Sequence, residues 1–349
     1  MPILPSVLSR AVGATMLSYS LAVSADTLPD SHAPIGVMGD HRHHAGEWMV
    51  SYRYMSMAME DNLRGNDSIS PPSIVSSISN PFAPPATVRV VPLEMTTQMH
   101  MLGFMYAPND AITLMAMASY LEKEMRHQTF MGMAGATALG TFTTRSGGVG
   151  DTKVSALINV MDEQHQKLHI NLGFSLPTGE ITATDAVLTP MNTRPTLRLP
   201  YAMQLGSGTY DFEPGLTYSG SSDHVAWGAQ LKANFRLGDN DEEYSLGDEI
   251  SVSGWSSYRL SNWLSGSLRL TYSDIDSIDG RDTSISAPVT TANPGNYGGT
   301  RWDAAFGFNT VTHSGHRLAF EYSIPIEQNL NGVQMEMQSM WMLGYQYAF

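Results

Sequence analysis

Residues 341–349, WMLGYQYAF, place a large side chain at every second position: Trp341, Leu343, Tyr345, Tyr347 and Phe349. Period two is the signature of a strand with one apolar face. Such a strand at the end of a chain has an exposed, adhesive edge unless something pairs with it. Pairing with the first strand of the same chain removes the edge by closing a barrel. The same alternation recurs in 47–59, 93–106, 111–122, 151–161, 167–176, 209–219, 224–237, 248–259, 263–273, 301–311 and 317–326. The outward set includes Trp48, Tyr52, Leu102, Phe104, Leu114, Phe174, Leu216, Leu231, Val252, Leu268, Phe306 and Leu318. A tilted strand of roughly 9–11 residues crosses a bilayer. The sequence therefore predicts an all-β fold, a transmembrane antiparallel up-and-down β-barrel of about 12 strands.

The connections support this. Short ones (APND at 107–110, DEQHQ at 162–166, LSN at 260–262, THSG at 312–315) alternate with long ones at 60–92, 123–150, 177–208 and 274–300. Tight periplasmic turns at one rim and long extracellular loops at the other give this rhythm. An even strand count puts both chain ends on the periplasmic side.

Charged residues make up only 15% of the 349, yet no long apolar run capable of a helical span occurs beyond the N-terminus. A membrane barrel combines these properties because its apolar residues are spread one in two. Cysteine is absent, which excludes disulfides and thiolate chemistry, and a net charge of −14 argues against a nucleic-acid partner. Residues 1–25 read as a secretory signal: Arg10, an apolar stretch at 11–25, and Val23-Ser24-Ala25 as a small-residue cleavage site. The expected division is 1–25 signal peptide, 26–46 irregular His-rich segment, and 47–349 barrel, placed in the outer membrane with lipid as its surroundings.

GEWMVSYRY (46–54), GVGDTKVSA (148–156), LGFSLPTGE (172–180) and QLGSGTYDFEPGLTY (204–218) resemble a family of bacterial outer-membrane transporters named for the MetA pathway of phenol degradation. The resemblance implies a barrel and a transport role, and fixes neither substrate nor catalytic residues. The glycines of these stretches read as sites where the wall bends or bulges.

If the residues above face lipid, their neighbours face the lumen. These are Met49, Arg53, Met55 and Met57 in the first strand, Met95, Met99, Met101 and Met105 in the second, and Met115 and Met117 in the third. Gln338, Met340, Met342 and Gln346 join them in the last. Those strands are neighbours in a closed barrel, so one sector of the inner wall is paved with Met. Elsewhere the inward residues are polar or charged, among them His169, Asp211, Glu213, Lys232, Arg236, Arg269 and Glu321, and read as a mutually compensating network.

The Met sector supports three readings: a flexible lining for apolar or aromatic solutes, a path of thioethers for Cu(I), or packing against a plug formed by 26–46. Asp40-His41-Arg42-His43-His44 adds imidazoles that suit Cu, Zn or Ni, with His41, His43 and His44 as candidate ligands and His32 nearby. No G-x-S-x-G nucleophile context occurs, so no enzyme and no resident cofactor are expected, copper excepted. The leading function is passage of a small solute, apolar or aromatic; the alternative is a copper-handling barrel.

Overall fold

The computed structural model describes residues 28–349. The signal segment expected at 1–25 lies outside the described residues. Among those described, no helix is long and apolar enough to cross a membrane.

The wall strands are β1 (Trp48–Gly65), β2 (Val90–Asn109), β3 (Ile112–Phe130), β4 (Ala138–Val149), β5 (Thr152–Asp162), β6 (Gln166–Leu176), β7 (Asp211–Ser221), β8 (Val225–Arg236), β9 (Glu249–Ser261), β10 (Leu264–Ile275), β11 (Gly299–Val311) and β12 (His316–Ala348). Neighbours pair antiparallel, except that β4 and β5 both pair with β3, and β12 pairs back to β1 from Met49↔Ala348 through Tyr52↔Tyr345. The ring has no free edge. Among the described residues eleven strands form it; β4 and the short Asp67–Ser68 strand lie outside it.

Two elements depart from simple crossings. β12 is 33 residues long. Residues 317–330 pair with β11, and residues 330–348 pair with β1. Gly332 has φ 62°, and Gln328 and Met337 exchange two hydrogen bonds of 3.0 Å across the fold. β12 therefore doubles back and crosses the wall twice, which gives twelve crossings from eleven ring strands. β4 pairs with the upper part of β3 and β5 with the lower part, so together they make one descending crossing, broken at Gly150–Asp151.

The stretch 123–150, expected as a loop, is therefore mostly strand. β1, β2 and β3 run 18 to 20 residues, well past the bilayer. Above the hydrocarbon no apolar outer face is needed, so the alternation that marks the membrane segments fades there while the ladder continues.

Outward residues follow the expected parity. Trp48, Leu102, Phe104, Leu114, Phe174, Leu231, Leu268, Phe306 and Leu318 are all exposed on the isolated chain, Leu268 at 69%. In water this belt would be a large apolar patch; hydrocarbon covers it. Aromatic pairs edge the belt, with Trp48 stacked on Tyr106 at 4.2 Å and Tyr54 against Trp341 at 5.0 Å, as in the interfacial girdles of membrane barrels. The protein is an outer-membrane β-barrel.

Candidate functional site

Residues 28–47 fold back inside the periplasmic half of the barrel and are held from nearly every side. Arg259 on β9 grips Asp30 by two hydrogen bonds of 2.6 and 2.9 Å. Ser265 donates to the Pro29 carbonyl at 2.8 Å, Arg317 to the Ala33 carbonyl at 2.6 Å, Gln230 to the Met38 carbonyl at 3.0 Å, and His169 meets the Gly39 carbonyl at 2.9 Å. Arg53 contacts the Met38 sulfur. Ala33 and Val37 pack on Trp255, a residue of β9 that faces inward. An irregular segment in a lumen must have its backbone groups satisfied by the wall, and the inward polar residues of β6 to β12 do this. The segment is a plug.

The Met residues of the wall fall into register. Six successive inward rows read Met115–Met105–Met49, Met117–Gly103–Ser51, Ser119–Met101–Arg53, Leu121–Met99–Met55–Met342, Lys123–Thr97–Met57–Met340 and Met125–Met95–Met59–Met337. Rows two residues apart rise about 6.6 Å along the strand, so the strip is roughly 33 Å long. Its foot, Met49 and Met105, is buried with Leu157, while Met38, Met101, Met115 and Met117 line a small cavity of about 20 Å³ against the plug. Its top, Met95 and Met125, is buried under Leu199 and Met203. Between them Met55, Met57, Met99, Met340 and Met342 are only partly buried.

One inward expectation fails. β12 slips by one residue opposite Ala58/Met59. Above that bulge Met337 and Met335 turn inward and are buried, while Gln338 is exposed. A bulge inverts parity for everything beyond it, and alternation counted from the C-terminus cannot see it.

Leu199 and Met203 belong to an extracellular cap. The turn Tyr201–Met203 sits over the Met strip, where the Lys123 ammonium donates to the carbonyls of Ala202 and Gln204 at 2.9 and 2.6 Å. Tyr201, Tyr244, Ile278, Ile285 and Val289, drawn from three loops, form a common core above it. The glycine-rich stretches converge at the base of this cap. Asp151, at the break between β4 and β5, accepts from the Gly179 and Ser207 amides at 2.9 and 2.7 Å. Gly206 lies against Gly179, where a Cβ would come within 2.8 Å of the Gly179 Cα. These glycines permit a close backbone approach that anchors a loop, beyond simple bending of the wall.

The polar sector is internally compensated. Arg269 pairs with Glu321 and Arg236 with Asp211, as opposite charges on nearby strands should. Glu213 pairs with Lys153 on β5 rather than with Lys232.

At the periplasmic mouth a vestibule of about 710 Å³ is lined by plug and turn residues, His32, Asp40, His41, His43 and His44 among them. His41 Nδ1 lies 2.8 Å from Asp40 Oδ1, and the Asp40 carboxylate also accepts from the Ala33 amide at 3.0 Å. Burial works against the Asp40 charge, but the adjacent His41 and then Arg317 hold its carboxyl well below the usual carboxylate range. Burial pushes the His43 imidazole down to about 3, and burial followed by the Arg317 guanidinium lowers His32 as well. His44 lies apart, its side chain 73% exposed and 3.6 Å from Asp110. The ring that joins His41 and His43 is His32, nine residues upstream, which the fold of the plug brings back. Only a tertiary contact could have selected it over His44.

No family model matches the sequence, and no curated protein matches it. Among solved structures it is similar to an outer membrane channel from Pseudomonas putida F1, at 14% identity and a TM-score of 0.57, covering 90% of this chain and 99% of that one. The fold is shared. Weaker likenesses, with TM-scores of 0.46 and 0.45, link it to a mutant of the TodX monoaromatic hydrocarbon channel at 11% identity and to the translocator domain of the autotransporter NalP from Neisseria meningitidis at 10%. They cover 89% and 88% of this chain, and 92% and 90% of those.

Proposed function

We propose that this barrel is a plugged outer-membrane channel that passes a small apolar or aromatic solute, and that it performs no catalysis. One observation carries the proposal: a registered strip with at least one Met in each of its six rows runs from cap to plug. Thioether side chains are unbranched and polarisable, and adapt to apolar solutes of varied shape. The facing wall carries the Arg236–Asp211 and Arg269–Glu321 pairs and the plug-holding Arg259 and Arg317, which leaves the strip as the soft side of the lumen. The resemblance of four segments to the MetA-pathway transporters, and the fold shared with an outer membrane channel of Pseudomonas putida F1, fit this reading. Passage requires the plug to yield at one end and the cap at the other.

The test is uptake of a labelled monoaromatic compound at low concentration by cells with and without the barrel. Uptake should be faster with it. Met55→Glu/Met342→Glu should slow uptake about tenfold at equal surface abundance. Uptake that ignores the presence of the barrel rejects the proposal.

A further inference from the structure

The plug carries a cluster that solute passage does not use. His32 and His41 stand edge to face with ring centroids 4.4 Å apart, and His41 and His43 with centroids 5.0 Å apart. Two imidazoles that share an ion about 2.0–2.1 Å from each nitrogen place their centroids roughly 5 Å apart. Ligand atoms of His32, Asp40 and His41 lie within 4.8 Å of one another.

The hydrogen-bonding pattern points the same way. His41 turns Nδ1 to Asp40, and His43 has Nδ1 3.4 Å from Glu47 Oε2. In both rings the opposite nitrogen, Nε2, is buried and has no hydrogen-bond partner, and neither has His32 Nδ1. Three orphaned imidazole nitrogens on one short loop are unusual, because buried polar atoms are nearly always paired. A carboxylate on one ring nitrogen with the other left free is how proteins orient and activate a histidine ligand.

We propose that His32 and His41, with His43 as a further donor and Asp40 holding the His41 ring by its Nδ1, bind one divalent transition ion of the imidazole-preferring class, Cu²⁺ or Zn²⁺. Nitrogen donors disfavour Ca²⁺ and Mg²⁺, which take oxygen ligands. The ion would reach the cluster through the vestibule that these residues line. It would join the start and end of the loop between His32 and His41 and so staple the plug in its seated form. The copper reading of the sequence thus belongs to the plug, with His32 in place of His44. This site stands independently of the solute that the channel passes.

The experiment is titration of metal-stripped, purified barrel in detergent with CuCl₂ or ZnCl₂ alone, by calorimetry and by elemental analysis after gel filtration. Cu²⁺ electron paramagnetic resonance reads nitrogen coupling. The expected result is about one retained equivalent with nitrogen coupling. Asp40→Asn should weaken it about 10–100-fold, His32→Ala/His41→Gln should lose it, and His44→Ala should leave it unchanged. Heat-modifiable migration on gels confirms that each variant keeps a closed barrel, since every substitution lies outside the wall. No retained ion, equal retention by the His32/His41 variant, or loss on His44→Ala overturns the assignment.

Discussion

Arg259 on the wall and Asp30 on the plug form a two-pronged ion pair, Nε to Oδ1 at 2.6 Å and Nη2 to Oδ2 at 2.9 Å, that joins positions 229 residues apart in the chain. The Asp30 side chain is 2% exposed. Paired guanidinium–carboxylate geometry is the strongest form of such contact, and removing one partner of a buried pair costs about 3–5 kcal/mol. Arg259 is partly exposed, so Arg259→Ala should weaken plug seating by about 3 kcal/mol at most. The measurable outcome is a higher single-channel open probability in planar bilayers and faster proteolysis within 28–47. An unaltered conductance trace would mean that the pair is not the tether.

The Arg269–Glu321 pair tests a different balance. It reaches from β10 to β12 across β11, where Gly307 stands directly between Ser267 and Glu321 in the register. Glu321 is 1% exposed. Glu321→Leu leaves a buried guanidinium without its counter-charge and should lower barrel stability by about 3–5 kcal/mol. Arg269→Met/Glu321→Leu should recover most of that loss, because hydrophobic replacement of a buried pair is often neutral. Urea unfolding in lipid vesicles measures both. A double variant as unstable as the single one refutes the charge argument.

The sequence and the fold agree most closely where a single physical demand acts. Trp48, Leu102 and Leu268 face hydrocarbon because nothing else there tolerates them, and simple alternation exposes that demand. The Met strip was legible for the same reason: it occupies the complementary parity of the same strands. Gln338 was misplaced because the register slip beside Met59 arises from pairing, which no single strand records. The upper half of β3 and the whole of β4 were hidden because water on their outer side places no demand on their composition. The plug's holdings were illegible for a third reason. His32, Asp40 and Arg317 acquire their meaning only when an irregular segment folds back on distant strands.

Gly206 offers a test of the cap. A Cβ there would meet Asp151 Oδ1 at 2.5 Å and the Gly179 Cα and carbonyl oxygen at 2.8 and 2.9 Å. Two of those atoms are backbone, so the loop must move. Overpacking of this kind costs about 1–3 kcal/mol. Gly206→Ala should detach the cap from Asp151 while the wall stays closed. Protease cleavage within 177–208 should then accelerate on intact cells, with heat-modifiable migration unchanged. Protection equal to the parent protein would show that Gly206 is not an anchor.

Leu268 tests the membrane reading itself. It sits near the middle of β10, paired with Ser256 and Phe306, and is 69% exposed on the isolated chain. If hydrocarbon surrounds it, Leu268→Arg should destabilise the barrel by about 2–4 kcal/mol, the range for a cation at the bilayer midplane. The same change at Leu260, which is 56% exposed but lies near the tight turn after β9, should cost about 0–1 kcal/mol because the side chain reaches the interface. A surface exposed to water would show no such depth dependence, since exposed substitutions there fall within about 0.5 kcal/mol. The comparison of the two arginines by urea unfolding in vesicles therefore locates the midplane as well as the medium. Equal costs at both positions would remove the lipid belt, and with it the ground for treating the Met strip as an interior surface.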